Sequence, residues 1–213
     1  MNTPDFSPSA EQNKHPILEK LRQLLPAQGA ALEIASGTGQ HAAWFASHLP
    51  GWRWQPTDAQ PGSLPSIRAH VAQAGLGNVL EPSLLDVCAD VWLPACPSAT
   101  GAPHFDLIFC ANMLHISPKE TGPALMRGSA RHLAPGGLLV TYGPYFEHDV
   151  PTAASNLAFD ESLRQRNPAW GVRQREDLER AAQTFGLQLA ERHTMPANNL
   201  LLVWRRAFTR SSP

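Results

Sequence analysis

The segment Glu33-Ile34-Ala35-Ser36-Gly37-Thr38-Gly39-Gln40-His41 constrains this chain more than any other. AALEIA (30–35) reads as a short buried strand, and SGTGQ turns straight into a helix carrying His41 to His48. Glycine reaches backbone torsions that are costly to other residues and lets a ligand approach the main chain. In an open parallel sheet such a turn lies at the carboxyl end of the first strand, where ligands bind. The segment is not a Walker loop, because no GKS or GKT follows. It is not the three-glycine dinucleotide fingerprint either, since Ala35 stands at the first glycine's place in the spacing A-x-G-x-G.

The rest of the chain reads as repeated strand and helix. A helix is expected from Pro16, a residue shaped for the first helical turn, with residues 1–15 polar and partly mobile. RWQPTD (53–58) is a second strand, followed by a helix over 63–75. NVLEPSLLDV (78–87) is a third strand and its exit. A Pro/Ala/Ser-rich loop over 88–104 follows, with a helical turn expected at Val91–Trp92. HFDLIFCANML (104–114) has the continuous apolar centre of a buried parallel strand. A helix over 117–137 leads to the fifth strand LLVTYGPY (138–145). An irregular stretch, 146–172, comes next, then a helix over 175–186. LQLAERHTM and NNLLLVWRRAF close the chain as an antiparallel pair. The expected architecture is α/β: one open, mostly parallel sheet of seven strands with an antiparallel terminal strand and helices on both faces. The 213 residues are close to one domain's worth.

Two distant acids give the glycine turn chemical meaning. Asp58 ends the second strand, 58 − 39 = 19 residues after Gly39, where a carboxylate can accept both ribose hydroxyl protons. Asp86 ends the third strand and can accept from an adenine amino group. With Glu33 they place an acid at three consecutive strand ends, around one crevice with convergent polar groups.

Composition removes several classes of function. Lys plus Arg is 17 and Asp plus Glu is 18, so there is no broad basic footprint for DNA or RNA. Cys88, Cys96 and Cys110 are an odd, scattered set without a CxxC, and read as free thiols. Nine histidines prompt a search for metal ligands, but there is no HExxH and no close Cys/His cluster, so no metal site is expected. The N-terminus lacks a signal-peptide pattern, and no window nears 18 uninterrupted apolar residues. A soluble, cytoplasmic protein without a membrane partner is expected, as a monomer or a homodimer.

LEIASGTGQH, QPTD, SLLDV, FDLIFCANMLHI and LAPGGLLVTYGPY, in that order, resemble the successive motifs of class I S-adenosylmethionine-dependent methyltransferases. More closely, the chain resembles the small DUF938 family, through NKHPIL (13–18), SNLAFDESLR (155–164), NPAWG (167–171) and MPANNLLLVWRR (195–206) as well. The resemblance implies a Rossmann-like fold and S-adenosyl-L-methionine as cofactor, with S-adenosyl-L-homocysteine as product. It implies that Glu33 orients the loop and the amino acid end of the cofactor, and that Ala35, Gly37 and Gly39 line its methionine part. It implies Asp58 on the ribose, Leu85, Asp86 and Val87 around the adenine, and Asn112 and Met113 beside the methionine carboxylate and the transferred methyl.

Catalytic and acceptor residues are then sought beyond the fourth and fifth strands. His115, three residues after Asn112, is the candidate general base, with an ordinary pKa near the working range. Tyr142 and Tyr145, the two tyrosines of the chain, fall around Gly143-Pro144 and can orient a substrate or place an aromatic face near a sulfonium. The stretch 146–172 is expected to cover the substrate, through His148, Asn156, Phe159 and Asp160. Asn198 and Asn199 in the last turn are further candidates, although asparagine is also ordinary turn chemistry. Together these readings describe methyl transfer to a small-molecule nucleophile. A non-catalytic adenosyl-ligand-binding protein of the same fold is the alternative. A nicotinamide-dependent oxidoreductase fits poorly, because the first glycine is missing and no lysine follows either tyrosine by four residues.

Overall fold

The computed structural model describes residues 3–93 and 104–206. The helices are α1 (Pro8–Leu24), α2 (Gln40–His48), α3 (Leu64–Gln73), α4 (Thr121–His132), α5 (Ala154–Arg166) and α6 (Arg175–Thr184). The strands are β1 (Gly29–Ile34), β2 (Trp52–Asp58), β3 (Ser83–Leu84), β4 (Phe105–Ala111), β5 (Leu133–Phe146), β6 (Arg173–Gln174), β7 (Leu187–Met195) and β8 (Asn199–Arg206). They order as β3-β2-β1-β4-β5-β8-β7, with β6 pairing beside the end of β5. β3, β2, β1, β4 and β5 run parallel, and β8 is antiparallel to both of its neighbours. The expected α/β architecture is therefore present, with the two-residue β6 as an addition.

Strand alternation divides the core. A strand's side chains point to opposite faces at every step. Ala31, Trp54, Leu107, Phe109, Val140 and Val203 pack on the face covered by α1 and α2. Leu32, Ile34, Ile108, Cys110, Leu139 and Trp204 pack on the face that holds Leu125 of α4 and Leu178 of α6. β1 lies between β2 and β4, so the chain leaves it in opposite directions on its two sides. That reversal opens a crevice outside the carboxyl ends of the parallel strands.

Several boundaries differ from expectation. α1 begins at Pro8, not Pro16, because the Ser7 hydroxyl accepts from the Ala10 amide at 3.3 Å and Pro8 occupies the first turn. Ala10, Asn13, Ile17 and Leu21 continue one buried stripe through Pro16, and this packing holds the helix together across it. The third strand is only two residues long, because Pro82 supplies no amide to the ladder and Val79 forms an isolated bridge with Trp54. No helix forms at Val91–Trp92. Trp92 instead donates to the Val87 carbonyl at 3.1 Å, stacks on His132 and covers Gly128, where a Cβ would meet the indole. The expected helix over 117–137 is only Thr121–His132, and β5 takes Leu133 onward. Within the stretch 146–172, the spacing of Leu157, Phe159 and Leu163 is compatible with a short helix, and the 13-residue α5 stands there. Residues 94–103 of the expected 88–104 loop, Cys96 among them, and residues 207–208 of the expected last strand lie outside the described residues. No described helix is long and apolar enough to cross a membrane.

Replacing Ser7 by Ala is expected to lower unfolding stability by about 1 kcal/mol, read from the urea midpoint. An unchanged midpoint would return the helix start to Pro16.

Candidate functional site

The cleft forms where β1 ends. Ala35, Gly37 and Gly39 all have positive φ, at 53°, 56° and 91°, so the chain reverses sharply before α2 begins. Ala35 carries a strain that glycine would not, on the order of 1–3 kcal/mol for a side chain in this region. Gly39 has a second reason to be glycine, since a Cβ there would lie 2.6 Å from the Ile67 backbone. The turn is pinned to β2 from several sides. The Ser36 amide donates to Thr57 O at 2.8 Å, and the Gly37 amide donates to Asp58 Oδ2 at 2.9 Å. Asp58 Oδ1 accepts from the Gln60 amide at 2.8 Å. Each carboxylate oxygen retains a free lone pair for a ligand.

A cleft of about 600 Å³ lies over this turn. It collects Ala35, Gly37, Asp58, Leu85, Asp86, Val87, Asn112 and Met113 from the ends of four strands. Asp86 is exposed, with Oδ1 accepting from the Cys88 amide at 2.9 Å, while Leu85 and Val87 are buried beside it. Asn112 has a φ of 58° and donates its amide to Tyr142 O, which turns the chain from β4 into the Leu114–Ile116 turn.

Gly39 and Glu33 are not on the cleft wall: Gly39 packs on α3, and Glu33 points into the α1/α2 side of the core. Alternation decides the latter, because Glu33 shares its parity with Ala31 and its neighbours Leu32 and Ile34 face the other side. Its Oε2 accepts from the Trp54 indole at 2.5 Å, and burial raises its pKa to about 8. The side chain is a neutral acid at pH 7.

The residues sought for catalysis separate. Tyr142 and Tyr145 do not share a loop. Both lie on β5, three residues apart, and therefore on opposite faces. Neither lines the cleft. Tyr142 directs its hydroxyl toward Asn13 and Asn199, and burial raises its pKa. Tyr145 is buried in the opposite face, with Thr141 as partner, and burial raises its pKa too. His115 sits between the cleft and α5. Its ring lies edge-on to Phe159 at 5.4 Å and packs at Gly143, where a Cβ would stand 3.5 Å from Nδ1. Burial first, then the charges of Arg173 and Arg166, lower its pKa to about 4. The expectation of titration near neutrality is corrected: the ring is uncharged at pH 7.

The acceptor candidates also divide. Asn156, Asn198 and Asn199 meet, with Tyr145, at a second hollow of about 240 Å³ beyond β5. Asn156 Nδ2 donates to Asn198 O and Asn198 Nδ2 to Ser155 Oγ, both at 3.0 Å. Asp160 is occupied by the chain itself, accepting from Arg164 Nε at 2.8 Å and from the Val172 amide at 2.7 Å. His148 is exposed, with its amide donating to Glu176.

Several cleft residues were not singled out from sequence. Ser7 and Ala10 arrive from the first turn of α1, which no local signal relates to the glycine turn. Ser36, Thr38 and His41 lie within the motif itself, so their spacing already offered them. His41 donates from Nε2 to Asn13 Oδ1 at 2.6 Å, and burial lowers its pKa to about 4.

Comparison with known proteins adds two findings. The sequence model of a family described as "Protein of unknown function (DUF938)" matches residues 4–206. Solved structures of methyltransferases share the fold. An O-methyltransferase family protein from Burkholderia thailandensis matches with TM-score 0.75 and 15% identity, over 93% of this chain and 57% of its own. An O-methyltransferase family 2 protein from Planctomyces limnophilus, in complex with apigenin, matches with TM-score 0.75 and 17% identity, over 93% and 60%. Human N-acetylserotonin methyltransferase, in complex with SAM, matches with TM-score 0.73 and 15% identity, over 94% and 53%. The chain thus spans little more than half the length of these proteins.

Glu33 yields a pH prediction. Its pKa is about 8 in the fold against 4.5 for an ordinary glutamate, so the folded state holds the proton that the unfolded chain loses. Its contribution therefore falls as pH rises from about 4.5 to 8. Glu33→Gln should gain stability relative to the native chain across that window, by up to about 1.4 kcal/mol per pH unit. Urea unfolding of both proteins at several pH values measures it, and a pH-independent difference would mean an ionised Glu33.

Proposed function

The chain belongs to the DUF938 family of proteins of unknown function, and we propose that it is an S-adenosylmethionine-dependent methyltransferase acting on a small molecule. One observation carries this reading: the glycine turn, Asp58 and Asp86 converge in a single 600 Å³ cleft at the ends of adjacent parallel strands. The fold shared with methyltransferases, one of them solved with SAM, supports it.

The residues present suit the cofactor part by part. Asp58 keeps lone pairs free for two vicinal hydroxyls while its bonds to Gly37 and Gln60 hold it still. Leu85 and Val87 offer an apolar seat for a flat ring, with the Asp86 carboxylate exposed between them for an amino group. Gly37 has nothing within 4 Å of a Cβ position, so the backbone there stays open to a ligand. Asn112 and Met113 border the cleft on the side of β4.

When bound, the cofactor supplies a methyl group activated by the positive charge of its sulfonium. The chain's task is then to align a nucleophile with that methyl, and orientation alone is worth roughly 7–11 kcal/mol in favourable cases. The turn after β4 borders the cleft through Asn112, Met113 and Ile116, where the nucleophile would enter. His115, uncharged and held between Gly143 and Phe159, can accept a hydrogen bond from an acidic nucleophile. With its pKa lowered to about 4 it is a weak base, better suited to orienting a proton than to removing one from an alcohol.

Calorimetry should show S-adenosylhomocysteine binding and no NAD binding. Asp58→Ala should weaken S-adenosylhomocysteine about tenfold or more, the value of a hydrogen bond to a charged group. Native affinity in that variant would remove Asp58 from the site, and no binding by the native chain would remove the proposed function.

A further inference from the structure

Asn156, Asn198 and Asn199 stand out in the sequence, and the cleft uses none of them. They line the second hollow, of about 240 Å³, together with the end of β5 and the start of β8. That volume is below the range of drug-sized pockets, so it suits an occupant of a few heavy atoms.

The hydrogen bonds around the hollow leave it with acceptors and few donors. Each asparagine spends its amide nitrogen on the chain. Asn156 Nδ2 donates to Asn198 O, Asn199 Nδ2 to Pro196 O and Asn198 Nδ2 to Ser155 Oγ, all at 3.0 Å. The first two orientations are forced, because a backbone carbonyl can only accept. Among the described residues nothing donates to Oδ1 of Asn156 or Asn198, and Asn199 has only the Tyr142 hydroxyl beside it. Asn156 is 8% exposed, yet its oxygen is not sealed in the core, so it opens onto the hollow that the residue lines. Ala197 and Asn198 both hold left-handed backbone, with φ of 57° and 56°, a costly conformation for residues with a Cβ. This pair of residues brings Asn198 back onto Ser155 and Asn156 of α5.

The donors on the same wall are already engaged. Arg192 gives Nε and Nη2 to Glu147, at 2.8 and 2.5 Å, and Nη1 to Thr194 Oγ1 at 3.0 Å. The Tyr145 hydroxyl has Thr141 as its partner. Charge points the same way. Glu147 pairs with Arg192 and Arg175, and Arg175 pairs in turn with Glu176 and Glu179, so three carboxylates meet two guanidiniums in the network behind this wall. Asp149, exposed between the lining residues Glu147 and Val150, has no cation partner among the described residues. Val150 and Leu200 add apolar surface to the same hollow.

We propose that this hollow binds a small molecule through a protonated primary amine, whose three N–H groups meet the open asparagine oxygens while its carbon chain lies on Val150 and Leu200. A charged donor strengthens each of these contacts relative to a neutral one. The amine is an anchor and not a methyl acceptor, because a protonated nitrogen has no lone pair to attack with. The site therefore stands apart from the methyltransferase reading.

The test is titration of the isotope-labelled full chain at pH 7, where an alkylamine is protonated, with n-butylamine, 1-butanol and butyrate, followed in amide NMR spectra. The side-chain amide signals of the three asparagines should move with butylamine, which is expected to bind about tenfold more tightly than 1-butanol. Butyrate should leave them in place. Asn156→Ala and Asn199→Ala should each weaken butylamine by about fivefold or more. Ser155→Ala, which removes the partner of Asn198 Nδ2 but no open oxygen, should retain native affinity. Melting curves check that each variant is folded, and if Asn156→Ala is not, Asn199→Ala decides. Shifts confined to the larger cleft, equal affinity for 1-butanol, binding of butyrate, no shift at the asparagines, or native affinity in the folded asparagine variants each overturn the proposal.

Discussion

The carboxylate of Asp58 accepting the Gly37 amide is the contact on which the rest of the cleft depends. It joins the end of β2 to the left-handed turn after β1. The bond between the Ser36 amide and Thr57 O, and that between Thr57 Oγ1 and Glu33 O, reinforce the join. A turn with three positive-φ residues in five positions would otherwise be free to take many shapes. Holding it fixes where α2 starts, and α2 in turn determines where the first turn of α1 lies. Ser7 and Ala10 therefore reach the cleft through a chain of packing that begins at Asp58.

Around this turn the core contains polar groups at a cost. Glu33 is held neutral by burial and satisfied by the Trp54 indole. His41 is held neutral by burial and satisfied by Asn13. A buried group that stays uncharged and hydrogen-bonded avoids most of the desolvation penalty of a charge. Glu33 lies beneath the cleft on the α1/α2 side, while His41 forms part of its wall. Across β4 and β5 the pattern reverses, since Arg173 keeps its charge and has only carbonyl oxygens to meet it. The charged groups that face the cleft are thus the carboxylates of Asp58 and Asp86, while Arg173 is buried behind the turn that carries His115.

Much of this was legible from residues alone. The glycine turn, the acids at Asp58 and Asp86 and the apolar β4 announce the parallel sheet and the place of the cleft, because period and turn chemistry are local properties. Strand parity is equally local, and on one continuous strand it sends Tyr142 and Tyr145 to opposite faces. Other features were not legible. Pro8 and Pro16 both suit a first helical turn, and only the Ser7 cap together with the buried stripe running through Ala10, Asn13 and Ile17 decides that the helix starts eight residues earlier. Asp160 reads as a free ligand group in sequence, and only the fold brings it to Arg164 and the Val172 amide.

The amino-acid sequence by itself determined the order of strands and helices, the left-handed turn and the acids at the strand ends. These follow from backbone torsion and side-chain periodicity within a few residues. Only the tertiary structure decided which of the marked groups carry charge and which reach the cleft. Protonation depends on burial and on neighbours distant in the chain: Trp54 and Asp58 for Glu33, Lys14 for His41, and Arg173 and Arg166 for His115.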